Sequence, residues 1–522
     1  MARSGTNRIL HRRKQAAGDD RMSALPDDLL LVVLRRLDTR AAVGTALLSR
    51  RWARLHRQLP VLDLRVSNML PPRYHRLVLL HRDIDRKGSH CLYRRHAIQL
   101  DLVPNIRRFE RRAMRALTRS VERFLDSGGV LGARPRSVSR LRVEFFLTRN
   151  TCCINRLIAK SIDDWGVSDL EAVAKPIHYE RSVHTFPSHG LCQEPRASCL
   201  RSLKLGCCVL PPLHEFSALT MLVLQDLPMS TPAAAYEGVF TSCRQLQVLH
   251  LKSCACSGIS DLVVDAPSSE IKELVVDKCA FSYMWLRALP NLESLASLDT
   301  RVLFESASFP CFRRWNLTKG VGAFIRSAEG LWQYMGRRHE LGWFLGCTPD
   351  ITNLAVRFTG PQRWIIPPNS SSLSSPLLPK LRKLLVADVP SSWDVSWPRL
   401  LLETAPSLET LHIHIAPCKE KPGDKISWKR SRLWHHCLKE FVVAGFEGTD
   451  ERQICLVRFV IGVSRLHRVA LFKKGQAQDK GHWDWEIVTE QHSWTNEEKD
   501  ATLEQIMDGV SFFNHPVELV LG

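Results

Sequence analysis

The side chains in this sequence best suited to chemistry are its cysteines and its paired histidines. Cys254-Ala255-Cys256 follows Cys243, and His412-x-His414 precedes Cys418, residue types that bind soft and borderline metals. Neither group has the paired Cys-x-x-Cys spacing of structural zinc sites. Core or surface roles are therefore expected for both, and no metal is assigned. Cys152-Cys153 and Cys207-Cys208 are adjacent pairs, poorly placed to bridge one another. The sequence holds no phosphate-cradling Gly loop ending in Lys-Ser/Thr and no Gly-x-Gly-x-x-Gly after a strand. It also lacks a Gly-x-Ser-x-Gly elbow and a His-Glu-x-x-His helix. No catalytic residue and no cofactor are assigned; binding, delegated to surfaces, is the expected mode of action.

The elements that would build such a surface start at Leu25. Pro26 suits the first turn of a helix, and Asp27 and Asp28 lie where the helix dipole favours negative charge. Leu29, Leu30, Leu31, Val32, Val33 and Leu34 cover every side of that helix, and Leu37 extends one stripe. Asp38 and Thr39 are turn and N-cap types before a second helix over Ala41–Leu48. Ser49 can cap a third over Arg50–Gln58, whose Trp52 and Leu55 share a face. Three short helices cannot enclose so much apolar area. The excess either packs on the following domain or forms a docking patch. At about 1.5–3 kcal/mol per buried Leu or Val, four or five such side chains hold a stable interface.

Leu25-Pro26-Asp27-Asp28-Leu29-Leu30, Arg40-Ala41-Ala42-Val43, Leu47-Leu48-Ser49-Arg50-Arg51-Trp52 and Leu62-Asp63-Leu64, in this order and spacing, resemble an F-box of the plant type. The resemblance implies docking to a Skp-type adaptor and, through it, a cullin within a ubiquitin ligase. Carried over by position, Leu25, Pro26, Leu29, Val33, Leu34, Leu37, Val43, Leu48 and Trp52 would face the adaptor or brace that face. The sequence departs from the pattern at His56, where relatives usually carry Trp, and at the less helix-favouring Gly44-Thr45-Ala46.

At 522 residues with 44% hydrophobic content, the chain has length for a small module plus a long repeat array. No run of 18 apolar residues suggests a membrane span. The start, through His11-Arg12-Arg13-Lys14, lacks the apolar stretch of a secretory signal. Sixteen scattered cysteines then fit reduced thiols in nucleus or cytoplasm. A net charge of +20 invites a nucleic-acid reading, but the arginines are dispersed and aromatics make up only 8%, so acidic protein surfaces fit better. Arg12-Arg13-Lys14 reads as a weak nuclear-import signal or a solvated tail.

A repeat governs the remainder. Leu200-x-x-Leu203-x-Leu205-x-x-Cys208 recurs as Leu246-x-x-Leu249-x-Leu251-x-x-Cys254 and as Ile271-x-x-Leu274-x-Val276-x-x-Cys279, with Leu219-x-x-Leu222-x-Leu224-x-x-Leu227 between the first two. Looser copies begin at Val138, Val167, Leu292, Ile351, Leu381, Leu408, Leu438 and Leu466. Each reads as a short strand and a turn, with the Leu positions inward and the ninth-position Cys filling the buried turn. One unit cannot bury its own face, so the copies must stack. The pattern resembles irregular leucine-rich repeats, against the alternative of unrelated buried strands in an α/β domain. The positions between the inward leucines fall on the opposite, concave strand face. They include Ser202, Lys204, Met221, Val223, Gln225, Val248, His250, Glu273, Val275, His412 and His414. Of these, Lys204, Val223, His250, Val275, His412 and His414 are the candidates for contact with a protein target.

The period fails near 299–350, which holds Trp315, Trp332 and Trp343 and is expected to be helical or irregular. The Pro- and Ser-rich stretch 360–379 reads as a loop. His436–Gly448 reads as a strand closing on a Gly-bounded turn, Arg452–Val463 as a helix and Leu466–Phe472 as a strand. Residues 431–475 resemble the FBD region of plant F-box repeat proteins, departing at Gly462-Val463; beyond Lys473 nothing is matched.

The expected architecture is α/β. It comprises a basic tail (1–19), a three-helix F-box (20–66), an irregular leucine-rich-repeat solenoid (95–430, interrupted near 299–350 and 360–379) and an FBD-like cap and tail (431–522). The expected role is a non-catalytic substrate receptor of a Skp–cullin–F-box ubiquitin ligase, in nucleus, cytoplasm or both. Its target would be an unidentified protein, with neither membrane nor direct nucleic-acid contact. The alternative is a repeat scaffold without productive adaptor binding.

Overall fold

The computed structural model describes residues 25–37, 39–45, 48–55, 58–87, 92–126, 137–149, 151–178, 180–258, 261–305, 309–320, 325–326, 332–333, 339–340, 350–359, 365–366, 378–392, 394–395, 397–418, 434–489, 494–508 and 517–522. The basic tail, His56 and most of the 360–379 stretch lie outside them.

The N-terminal module contains α1 (Asp27–Arg36), α2 (Thr39–Gly44) and α3 (Arg50–Leu55). Leu30, Leu34, Ala42, Trp52, Leu55 and Leu59 form a core of their own, with Leu25 and Leu31 packed against it. Ser49 Oγ accepts the Trp52 N–H at 3.4 Å, the expected cap of α3. Two expectations needed correction. Helix α2 stops at Gly44 rather than at Leu48, where the backbone freedom of Gly opposes helix continuation. The Thr39 hydroxyl accepts the backbone N–H of Asp63 at 2.7 Å, so it ties the module to the next strand.

That next strand, β1 (Val61–Arg65), opens a parallel sheet of fifteen strands among the described residues. The others, in chain order and in sheet order alike, are β2 (Arg140–Phe146), β3 (Asp169–Lys175), β4 (Ser202–Gly206), β5 (Met221–Gln225), β6 (Val248–Lys252), β7 (Glu273–Asp277), β8 (Ser294–Leu298), β9 (Arg314–Gly320), β10 (Asn353–Thr359), β11 (Lys383–Pro390), β12 (Thr410–Ala416), β13 (Glu440–Ala444), β14 (Arg468–Phe472) and β15 (Glu518–Leu521). The segment expected to end the F-box therefore supplies the first strand, the FBD-like stretch supplies β13 and β14, and the tail supplies β15. The repeats, expected from residue 95, are preceded by helix: α4 (Pro72–Lys87) and α5 (Leu92–Asp126) come before β2, and α6 (Cys152–Asp163) follows it.

All twelve sequence positions at which a repeat was expected to begin lie two residues ahead of one of these strands and are buried. Leu203, Leu205, Leu222, Leu224, Leu249 and Leu251 join one continuous core. Cys207, Asp226, Ser253, Lys278 and Asp299 each leave their strand in the left-handed conformation, with φ of 48–52°. Each donates its N–H to the end of the next strand, for example Asp226 to Lys252 O at 2.9 Å and Ser253 to Asp277 O at 2.7 Å. Strand-to-strand bonds thus continue through the turns. The ninth-position thiols of Cys208, Cys254 and Cys279 are buried, and two of them donate to backbone carbonyls: Cys254 Sγ to Leu224 O and Cys279 Sγ to Leu251 O, each at 3.4 Å.

The stretch expected to break the period contains β9, so that expectation is corrected. Trp315 is 1% exposed and clusters with Phe304 and Phe312 in the core. Trp343 lies outside the described residues. After β13, Gly445 turns the chain at φ +78°, and a Cβ there would lie 2.1 Å from Ile415 O. The expected helix is α9 (Glu451–Val463), after the short α8 (Arg399–Thr404) and the earlier α7 (Ala233–Ser242). Asp450 caps α9 by accepting the Arg452 N–H at 2.9 Å. Between β14 and α10 (Asn496–Met507), an antiparallel hairpin pairs Gly475–Lys480 with Asp484–Thr489 outside the main sheet.

Candidate functional site

Two surfaces stand out, one left open and one covered. The open surface is on the N-terminal module. Leu30 and Leu34 are sealed in its core, whereas Leu29 is 50% exposed, Val32 47%, Leu37 40% and Leu48 70%. Leu29 and Val32 share one arc of α1 because residues three positions apart return to the same side, and Leu37 follows the helix as its extended C-cap. Asp27 holds the neighbouring arm in place: Arg51 Nε lies 2.7 Å from Asp27 Oδ1, and the same guanidinium donates to Leu25 O. Leu25 and Val33 are half-buried and Pro26 is exposed. Leu34 and Trp52, expected to face an adaptor or brace that face, lie in the module core and can only brace. The side chain of Val43 lies outside the described residues. Val32 was missed by sequence reasoning, although its three-residue offset from Leu29 would have placed it on the same arc.

The second surface is the strand face opposite the leucine core. Lys204, Val223, His250 and Val275 stand in one register across β4–β7. The column continues through Ala296, Asn316, Ala355, Leu385 and His412. The sequence left this face open for a target, and much of it is covered. Val275 is fully buried; Val223, His250 and His414 are nearly so, and Lys204 and His412 are half-buried. The cover over β6–β12 is the chain's own hairpin. His482 packs edge-on against His250, with ring centroids 5.1 Å apart. Asn316 Nδ2 donates to His482 O at 2.8 Å, and Trp485 Nε1 donates to His412 Nδ1 at 3.2 Å. Ala477 fills an apolar patch of Ala355, Leu385 and Ala387, with Trp485 and Ile487 packed beside it. Arg357 reaches across, its Nη2 donating to Ala477 O at 3.0 Å and to Asp479 Oδ1 at 2.9 Å.

The electrostatics follow from that cover. Burial pushes His250 down to about 4, helped by the nearby His482 and Lys252. Burial lowers His482 as well. Asp388 accepts from Arg357 Nη1 at 2.8 Å and sits 2.7 Å from His414 Nδ1. Burial pushes its carboxyl up, and the His414 and Arg357 contacts more than offset this, leaving it below the usual carboxylate value. His412 and His414 are thus spent on Glu440, Trp485 and Asp388. Among the described residues no group of three or more His, Cys, Asp or Glu is arranged to hold a metal ion, and no helix is long and apolar enough to cross a membrane.

Comparison with known proteins bears on the first surface. Residues 22–60 match the F-box domain family. Two F-box/FBD/LRR-repeat proteins of Arabidopsis thaliana are 47% identical over 49 residues and 48% identical over 51, spans that cover 9% and 10% of this chain and 11% of each relative. A third Arabidopsis protein of that description is 33% identical over 82 residues, 16% of this chain and 18% of the relative. The chain thus carries an F-box domain, a module that binds Skp-type adaptors, and resembles plant F-box proteins with repeat and FBD regions. The matched segments span less than one fifth of those relatives' length.

Proposed function

We propose that this chain is the substrate-receptor subunit of a Skp–cullin–F-box E3 ubiquitin ligase, working in nucleus, cytoplasm or both. The exposed side chains of Leu29, Val32, Leu37 and Leu48 carry the reading, because they are apolar area that the described residues leave uncovered beside a sealed core. Leu25, Pro26 and Val33 flank them, and Leu34 and Trp52 hold that surface in shape. The parallel sheet would be a leucine-rich-repeat solenoid that presents a protein target, closed by the FBD-like strands. The chain's own residues contribute no chemistry: holding a target lysine near a charged conjugating enzyme raises its effective concentration.

The test is capture of this chain by a recombinant Skp-type adaptor. Wild type should bind at submicromolar concentration, and the Leu25→Ala/Pro26→Ala variant should be lost from the captured fraction while the sheet stays folded. One observation favours a second reading, a repeat scaffold without productive adaptor binding: α2 is cut short at Gly44, on the segment that leads to Leu48. Absence of capture at micromolar concentration would select that scaffold. Absence of salt-sensitive retention on DNA or RNA would end the nucleic-acid reading.

A further inference from the structure

We propose that the strand face beneath the 475–489 hairpin is a peptide-docking surface and that the hairpin is its resident stand-in ligand. The occupant to expect is an extended target segment with a small apolar residue followed two positions later by an acid, the Ala477-x-Asp479 pattern. This rests on the reading of the chain as a target receptor and adds the class of target.

The hairpin behaves as an inserted ligand rather than as part of the sheet. Among the described residues its two strands pair only with each other in the backbone ladder. Its hydrogen bonds to the sheet reach residues 73 to 166 positions away in sequence. They are the kinds a bound peptide makes: an indole N–H on an imidazole, a main-chain carbonyl on a carboxamide, and a small side chain in an apolar patch. The charge complement is specific. Arg357 is 15% exposed on its side chain, and Asp388 takes one end of its guanidinium. The other end faces outward and needs an acid, which Asp479 supplies. Both roots of the hairpin are fixed without it. Gly475 and Thr489 are directly paired, so the excursion starts and ends at one place. Upstream, β14 is a strand of the main sheet. Downstream, Trp494 is buried, stacks on Phe446 and donates to Gly522 O at 2.7 Å. A two-stranded hairpin alone is marginal in water, so exchange for a competing segment requires no rearrangement of the sheet.

Tethering gives the resident hairpin an effective concentration in the millimolar range, so the intact chain should exclude a free peptide. The probe is a fluorescein-labelled synthetic peptide of residues 473–490. The receptor is the full chain with 476–488 replaced by two glycines, its circular-dichroism melting transition compared with that of the intact chain serving as the folding control. The peptide should bind this shortened chain at least about tenfold more tightly than the intact one. Arg357→Ala in the shortened chain should abolish that binding, and Asp479→Asn in the peptide should weaken it. Should the shortened chain fold poorly, Arg357→Ala in the intact chain gives the second readout. It should red-shift Trp483 and Trp485 emission, speed amide exchange over 475–489 and admit the peptide. A folded shortened chain that ignores the peptide, or binding that Arg357→Ala leaves unchanged, would overturn the proposal. Loss of adaptor capture with peptide binding retained would sink the ligase reading and leave this one standing.

Discussion

The F-box module and the strand face of β6–β12 meet the same physical problem in opposite ways. Each carries apolar side chains that its own elements leave outward. On α1 those side chains stay in water, with Leu29 half exposed while Leu30, one residue on, is sealed. On the sheet, Leu385 and Ala387 face outward in alternation with the inward-facing Leu384 and Val386, yet they are buried because Ala477 lies over them. A surface left open waits for another polypeptide, and a surface closed by its own chain must be opened first. On the proposed reading, docking at one end of the molecule is constitutive and binding in the middle is conditional.

Breaking the open surface should have the largest effect. Leu29 and Leu48 are 50% and 70% exposed in the free chain, so Leu29→Ala with Leu48→Ala removes about 2–4 kcal/mol of interfacial burial. Adaptor affinity measured by calorimetry should fall at least about 20-fold, while Tm moves by no more than about 2 °C, because neither side chain is in the core. Leu34→Ala sharpens the contrast from the other side. It removes a buried side chain and should cost the module about 2–5 kcal/mol, seen as faster amide exchange across α1–α3 with the sheet unaffected. Acid should loosen the covered surface. Burial holds His250 near 4, against 6.5 in open chain, so the uncovered state binds protons first as pH falls. The cover is fully stabilised above about pH 6.5 and is lost progressively toward pH 4, which Trp483 and Trp485 emission would follow. Asp388 and Glu440 lie below their usual values and stay charged through most of that window. The smallest effect belongs to neither surface: Asp450→Ala removes the α9 cap at a cost of about 1 kcal/mol, without changing adaptor or peptide binding.

The sheet was legible because one rule repeats. An apolar residue two positions before each strand, from Val138 to Leu466, marks twelve of its fifteen members. Leu59 and Phe312 obey the same rule ahead of β1 and β9 and were passed over. Leu59 looked like the end of the helical module, and the aromatic residues at 312 and 315 hid a strand that a Leu-based pattern could not show. On α1 a periodic argument could say that one face remained, and only the packing of Ala42, Trp52 and Leu59 decided which face it was. The hairpin was not legible. Its sequence, Gln-Ala-Gln-Asp-Lys and Asp-Trp-Glu-Ile-Val, is polar and short, and no local period encodes a contact more than a hundred residues away. A signal for the cover was nevertheless present. Outward positions are charged at Arg142, Glu171 and Lys204 but become Val275, Ala296, Ala355 and Leu385 farther along the column, and an outward strand position that turns apolar implies that something lies over it.

Titration calorimetry of the full chain against a purified Skp-type adaptor tests most directly whether the open apolar arc is a docking surface. One-to-one binding at submicromolar concentration, with a negative heat-capacity change from apolar burial that shrinks in the Leu29→Ala/Leu48→Ala variant, is the predicted result. No heat of binding at micromolar concentrations over a range of temperatures, or binding that both alanines leave intact, would contradict it.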